Sequence, residues 1–132
     1  MNQKIAFIAG TLGQGGAEKQ LYHLLRALRD GGASLHLLCL TQGEFWEGPI
    51  RELGIPISWV GQSRSRLARL RHILAVLRGI APQLVQSQHF YTNLYAALAG
   101  RLLRIPSVGA IRNDLFSELR HGGRLLGPLC LR

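Results

Sequence analysis

The stretch KIAFIAGTLGQGGAEKQL, Lys4 to Leu21, decides the fold. Its apolar run, Lys4–Gly10, does not alternate with polar residues, so it reads as a strand buried on both faces. Gly10, Gly13, Gly15 and Gly16 then fill a turn, and from Ala17 to Asp30 the residues Leu21, Leu24, Leu25 and Leu28 recur with helical spacing. Strand, glycine turn and helix make the first unit of a parallel sheet. Glycines let backbone N–H groups approach a ligand, and the helix's first N–H groups and positive dipole end face the same place. The turn therefore suits an anion such as a phosphate. The dipole contributes only ~0.3–2 kcal/mol, so the turn orients a phosphate without forming a whole site.

Outward from this unit, the pattern repeats. Gly31–Ser34 stops the first helix, and Leu35–Leu40 reads as a second strand. EGPIRELGIP carries a short helix into a third strand, Ile57–Val60. From Arg66 to Gly79, Leu67, Leu70, Leu74 and Leu77 form one helical stripe with arginines opposite. Gln83–Ser87 is a fourth strand, Asn93–Arg104 a mostly apolar helix and Ser107–Ile111 a fifth strand. The tail from Arg112 is weakly patterned and reads as helical. The alternation predicts an α/β fold, a parallel sheet with helices on both faces. Ligands of such sheets bind beyond the carboxyl ends of the strands, here just after Ile8, Leu40, Val60, Ser87 and Ile111.

The 132 residues make one domain-sized chain, and 47% apolar content can supply a core. Sixteen basic residues face seven acids, for a net charge of +9. No acid lies between Glu52 and Asp114, while Arg64, Arg66, Arg69, Arg71, Arg78, Arg101 and Arg104 all fall there. Such a surface attracts anionic lipid, phosphorylated small molecules or nucleic acid. Neither a helix-turn-helix nor an aromatic stacking pattern supports nucleic acid. Cys39 and Cys130 lack metal-ligand spacing, and Cys39 reads as a buried reduced thiol. No stretch approaches the ~18 apolar residues of a membrane span, and IAFIAG is too short for a secretory signal core. A reducing cytoplasm is the expected compartment.

Two phosphate motifs fail. No Gly-Lys-Ser/Thr closes the loop, which disfavours Walker-type chemistry, and the glycine spacing misses G-x-G-x-x-G. The second strand runs out in Leu40-Thr41-Gln42-Gly43, with Glu44 beyond, where a dinucleotide site wants an acid for the ribose. Glycines kept only for tight strand–helix packing remain an alternative.

GTLGQGGAEKQLYHLLRAL resembles the opening of the GT-B glycosyltransferases of the large retaining family 4, with its Gly-Gly-Ala-Glu signature. APQLVQSQHFYTNLYAALAGRLLRIPSVGAIRND, Ala81 to Asp114, resembles that family's fourth strand, helix and fifth strand. The resemblance implies transfer of a sugar from a nucleotide-sugar donor to a glycan or lipid-linked acceptor, with retention, no metal and no other cofactor. It also implies that residues 1–132 are a single Rossmann-like acceptor-side domain, the N-terminal half of a GT-B fold. That domain is expected to be incomplete at its C-terminus, to lack the nucleotide-sugar-binding domain and to be inactive alone. A non-catalytic glycan- or phosphate-binding module, or a subunit needing a separate donor-binding chain, is the alternative.

Carried over residue by residue, Gly13, Gly15, Gly16, Arg112, Asn113 and Asp114 are expected to bind substrate or phosphate. His89 and Gln88 are expected at the reaction centre. The family's His-x-His reads Gln86-Ser87-Gln88 here, with His89 one place later, and its His-Asn reads Arg112-Asn113-Asp114. A histidine satisfied at a strand end is an equal reading of His89, and a helix N-cap an alternative for Asp114. Glu18 fits the motif, although an acid in a first helical turn is favoured anyway. No E-x7-E pair occurs, and Glu44 and Glu47 fall in a loop region. Arg64, Arg66, Arg69 and Arg71 are expected to touch anionic lipid at the inner face of the membrane, or to form an ordinary solvated helix face.

Overall fold

The computed structural model describes residues 3–109. Five strands, β1 (Lys4–Ala9), β2 (Ser34–Cys39), β3 (Ile57–Trp59), β4 (Leu84–Ser87) and β5 (Ser107–Val108), form one sheet in the order β3-β2-β1-β4-β5. All four pairings are parallel. Parallel neighbours need crossovers. These are α1 (Gly16–Asp30), α2 (Glu47–Glu52), α3 (Arg66–Ile80) and α4 (Asn93–Leu103), the last preceded by a 3₁₀ turn, Phe90–Thr92.

Strand periodicity divides the core in two. Ile5, Phe7 and Ala9 of β1, with Leu35, Leu37 and Cys39 of β2, pack against Leu21 and Leu25 of α1 and Ile50 of α2. The intervening Ala6, Ile8, Leu38 and Val85 face Ile73, Leu74 and Leu77 of α3 and Tyr95, Ala96 and Ala99 of α4. β1 is therefore apolar on both sides, and Ala6, Phe7, Ile8 and Ala9 are all 0% exposed. Each large side chain so enclosed contributes about 1.5–3 kcal/mol.

The elements fall where the sequence places them, with boundary differences. β1 ends at Ala9, leaving Gly10 in the loop, and α1 begins at Gly16. The stripe of α3 differs more. Leu67 is 58% exposed, Leu70 is partly buried, and Ile73, outside the expected stripe, is buried with Leu74 and Leu77. The predicted stretch of β5 beyond Val108 is not strand at Gly109, and its remainder, with the predicted helical tail and Cys130, lies outside the described residues. Cys39 is buried and unbridged, and burial pushes its thiol above the ordinary value.

Close backbone approach explains Gly61, where a Cβ would come within 1.8 Å of the Leu40 carbonyl oxygen. Ala81 and Arg104 close α3 and α4 in the left-handed region, at φ of 53° and 58°.

Candidate ligand-binding crevice

The strand order reverses between β1 and β4, where the chain leaves the sheet toward opposite faces, and ligands of such sheets bind at the carboxyl ends beside this point. Two segments meet there: the glycine loop after β1 and the turn after β4. Gln88 N–H donates to the Ile8 carbonyl at 2.9 Å, tying the second segment to the end of β1. The Ser87 and Thr92 hydroxyls both donate to the His89 carbonyl at 2.8 Å and fix the turn.

His89 joins the two segments. Gly10 N–H donates to its Nδ1 at 3.0 Å. An amide can only donate, so Nδ1 is the bare nitrogen and Nε2 carries the proton. Nε2–H then donates to Glu18 Oε1 at 3.1 Å. His89 and Glu18 side chains are 12% and 10% exposed. Strand β4, the glycine loop and the first turn of α1 are thus fastened through one imidazole. Tyr91 stacks on that ring with centroids 5.5 Å apart and planes at 28°.

The glycines divide by role. A Cβ on Gly10 would lie 1.9 Å from Tyr91 Oη, and one on Gly15 would lie 2.2 Å from Glu18 Oε2. Gly15 caps α1 in ordinary extended conformation, so the folded-back Glu18 carboxylate explains the glycine better than backbone strain does. Gly15 N–H donates to the Gly13 carbonyl at 2.8 Å, and Gly13 N–H to Thr11 Oγ1 at 3.1 Å. Of the three glycines expected to face phosphate, Gly13 and Gly15 spend their N–H groups inside the loop. Gly16 differs: it opens α1, where an N–H has no intrahelical acceptor, and a Cβ there would meet nothing within 4 Å.

Glu44 braces the loop from β2. Its carboxylate accepts from the Thr11 hydroxyl at 2.9 Å, from Leu12 N–H at 3.1 Å and from the Thr41 hydroxyl. The Thr41 hydrogen bond, ahead of those from Leu12 and Thr11, holds the carboxyl below its ordinary value against the opposing effect of desolvation. Glu44 lies in the loop, as its sequence context suggests, whereas Glu47 opens α2.

Gln88, expected to meet a sugar hydroxyl, is instead 0% exposed. Arg112, Asn113 and Asp114 lie outside the described residues. Sequence reasoning passed over Tyr91, placed Gly10 in the turn and Glu44 in a loop without their contacts, and read Glu18 as a motif match and a favoured first-turn acid. For Glu18 a signal existed: an acid three residues after the helix cap, as in a capping box. For Glu44 none did, because its partner Thr11 is 33 residues away. Before and along α3, Arg64, Arg66 and Arg71 are exposed, while Arg69 is half-buried, its Nε donating to the Ser63 carbonyl at 2.7 Å. Among the described residues there is no cluster of three His, Cys, Asp or Glu side chains. No described helix is long and apolar enough to cross a membrane.

A family model for a glycosyl transferase 4-like domain matches residues 15–132. No curated protein matches the chain. Among solved structures, Anabaena HepE in complex with UDP-glucose is similar at TM-score 0.74 and 20% identity, over 91% of this chain and 34% of that one. MurG of Acinetobacter baumannii is similar at TM-score 0.67 and 18% identity, over 90% and 39%. The lipopolysaccharide outer core galactosyltransferase WaaB, in its apo form, is similar at TM-score 0.70 and 14% identity, over 98% and 37%. At these identities the likeness shows the fold, the Rossmann-like α/β sheet of GT-B glycosyltransferases. The chain spans about a third of the length of these structures.

Proposed function

The chain belongs to the glycosyl transferase 4-like family, and we propose that it is the acceptor-side, N-terminal part of a retaining glycosyltransferase. The reaction is sugar transfer from a nucleotide sugar to a glycan or lipid-linked acceptor, in polysaccharide, lipopolysaccharide or glycolipid synthesis. A nucleotide-sugar-binding domain, beyond residue 132 or on a separate chain, completes the site. The relative lengths support this: the chain spans 34% of HepE, whose complex holds UDP-glucose. The work takes place in the cytoplasm, with any membrane contact peripheral and at its inner face, and no metal or other cofactor enters the reading.

One observation carries the proposal: the glycine loop and His89 converge at the sheet's switch point, leaving open space at Gly16 above a helix N-terminus. As a glycosidic bond breaks, the leaving diphosphate gains charge, and preorganised N–H groups stabilise it. Gly16 suits that role better than Gly13 or Gly15, whose N–H groups are engaged. His89 holds the loop in place, and Arg112, Asn113 and Asp114 add charge and hydrogen bonds from the segment after β5.

Turnover tests the proposal. The purified chain is incubated with a panel of nucleotide sugars, alone and with the donor-binding polypeptide, and free nucleotide diphosphate is followed. The expected result is release only in the mixture, reduced by Gly16→Val. Release by the chain alone would refute the need for a second domain, and none in either case would refute the transferase reading.

A further inference from the structure

Tyr91 is half-exposed, yet the molecule holds it firmly. Its ring stacks on His89, which is itself fixed at both nitrogens. Its hydroxyl end lies over Gly10, where any side chain would collide with it. Gly10 does not adopt a positive φ, so its backbone alone does not call for glycine. The ring overhead gives the reason. At 48% exposure Tyr91 contributes little to the core. It stands beside the switch point, where ligands of such sheets bind.

We propose that Tyr91 is a stacking platform for a hexopyranose ring of the acceptor; this rests on the acceptor-side reading given above. One face of a pyranose presents axial C–H groups, and its rim carries hydroxyls. The negative face of a tyrosine π-system attracts the weakly positive C–H edge. His89 stacks on the ring, and 48% of Tyr91 remains exposed beside it. The pinned imidazole removes rotational freedom from the platform before any ligand arrives, which lowers the ordering cost of binding.

The test needs neither donor nor turnover. Saturation-transfer NMR is run on the full chain with the methyl glycosides of glucose, galactose, mannose and N-acetylglucosamine, and with uridine in a separate arm. At least one glycoside is expected to show saturation strongest at the ring C–H protons of one face. Tyr91→Phe should retain it, while Tyr91→Ala and Tyr91→Leu weaken binding about five- to tenfold. Thermal melts of all three variants establish that they are folded. Binding by none of the glycosides, equal binding by parent and either variant, or loss in Tyr91→Phe would overturn the proposal. Saturation of uridine alone would also overturn it and assign the ring to a nucleobase. Because glycoside binding is read without transfer, it can stand if the turnover assay fails, and turnover can stand if the platform fails.

Discussion

At the scale of single residues, neighbouring glycines have opposite requirements. Gly15 lacks room because the Glu18 carboxylate lies over it, whereas Gly16 has nothing within 4 Å of a Cβ. Gly15→Ala therefore pushes Glu18 away and cuts its bond to His89. A hydrogen bond to a charged group contributes about 1.5–3 kcal/mol, and the substitution recovers about 0.4–1 kcal/mol of unfolded-state entropy. The net loss is about 1 kcal/mol, or roughly 3–5 °C in Tm for a chain of this size. Gly16→Ala should instead raise Tm by a few degrees, since alanine is favoured over glycine within a helix by about 0.5–1 kcal/mol. Calorimetry of the two variants checks the contrast; shifts of the same sign would break it. Gly16→Val should keep the parent's melting behaviour while weakening ligand engagement, read by titration. Glu44 predicts a pH dependence. Its folded carboxyl titrates below its ordinary value of 4.5, so its contribution is complete above that pH. The contribution is lost as pH falls through the lower folded value, because the unfolded state takes up the proton first. Glu44→Gln should flatten this acid limb of the stability curve, leaving any remaining acid dependence to other groups.

At the scale of elements, the strands were legible because burial on both faces leaves a nearly unbroken apolar word in the sequence. KIAFIA and LHLLC carry it, and each lies in the observed sheet. The chemistry of the loop was not legible, because it rests on pairs 33, 71 and 79 residues apart that no local pattern encodes. The stripe of α3 was half legible. Leu67, Leu70, Leu74 and Leu77 obey helical spacing, but spacing says nothing of where the covering layer ends, and Leu67 lies beyond it. The end of the same helix shows a second limit. Ala81 sits at φ 53° where glycine is the common residue, and an ordinary L-residue in that region loses about 1–2 kcal/mol. Ala81→Gly relieves that strain against about 0.4–1 kcal/mol of added unfolded-state entropy. Stability should rise by up to about 1 kcal/mol. A denaturant titration with an unchanged slope and a higher midpoint is the expected reading; a lower midpoint would mean that the alanine is not strained.

At the scale of the whole molecule, the charge of +9 and the acid-free span from Leu53 to Asn113 separate a general attraction to anions from a particular face. The start of α3 supplies that face: Arg64, Arg66 and Arg71 are exposed around Leu67, while Arg69 is drawn down onto Ser63. An arginine near an anionic bilayer contributes about 1 kcal/mol, so three give roughly a hundredfold in partitioning. Arg64→Gln, Arg66→Gln and Arg71→Gln together lower the charge from +9 to +6, leaving most of the overall field intact. Cosedimentation with phosphatidylglycerol vesicles should therefore fall about a hundredfold in the triple variant if the face acts, but much less if net charge alone acts. Arg69→Gln should leave vesicle binding near the parent's, since its guanidinium is already turned to the Ser63 carbonyl. Leu67→Gln should weaken binding at high salt more than at low salt. Screening contracts from about 10 Å at 0.1 M to 3 Å at 1 M and removes the arginines' share, while apolar burial persists. Binding unchanged in the triple variant would return this helix to an ordinary solvated role and leave the crevice at β1 and β4 as the molecule's functional surface.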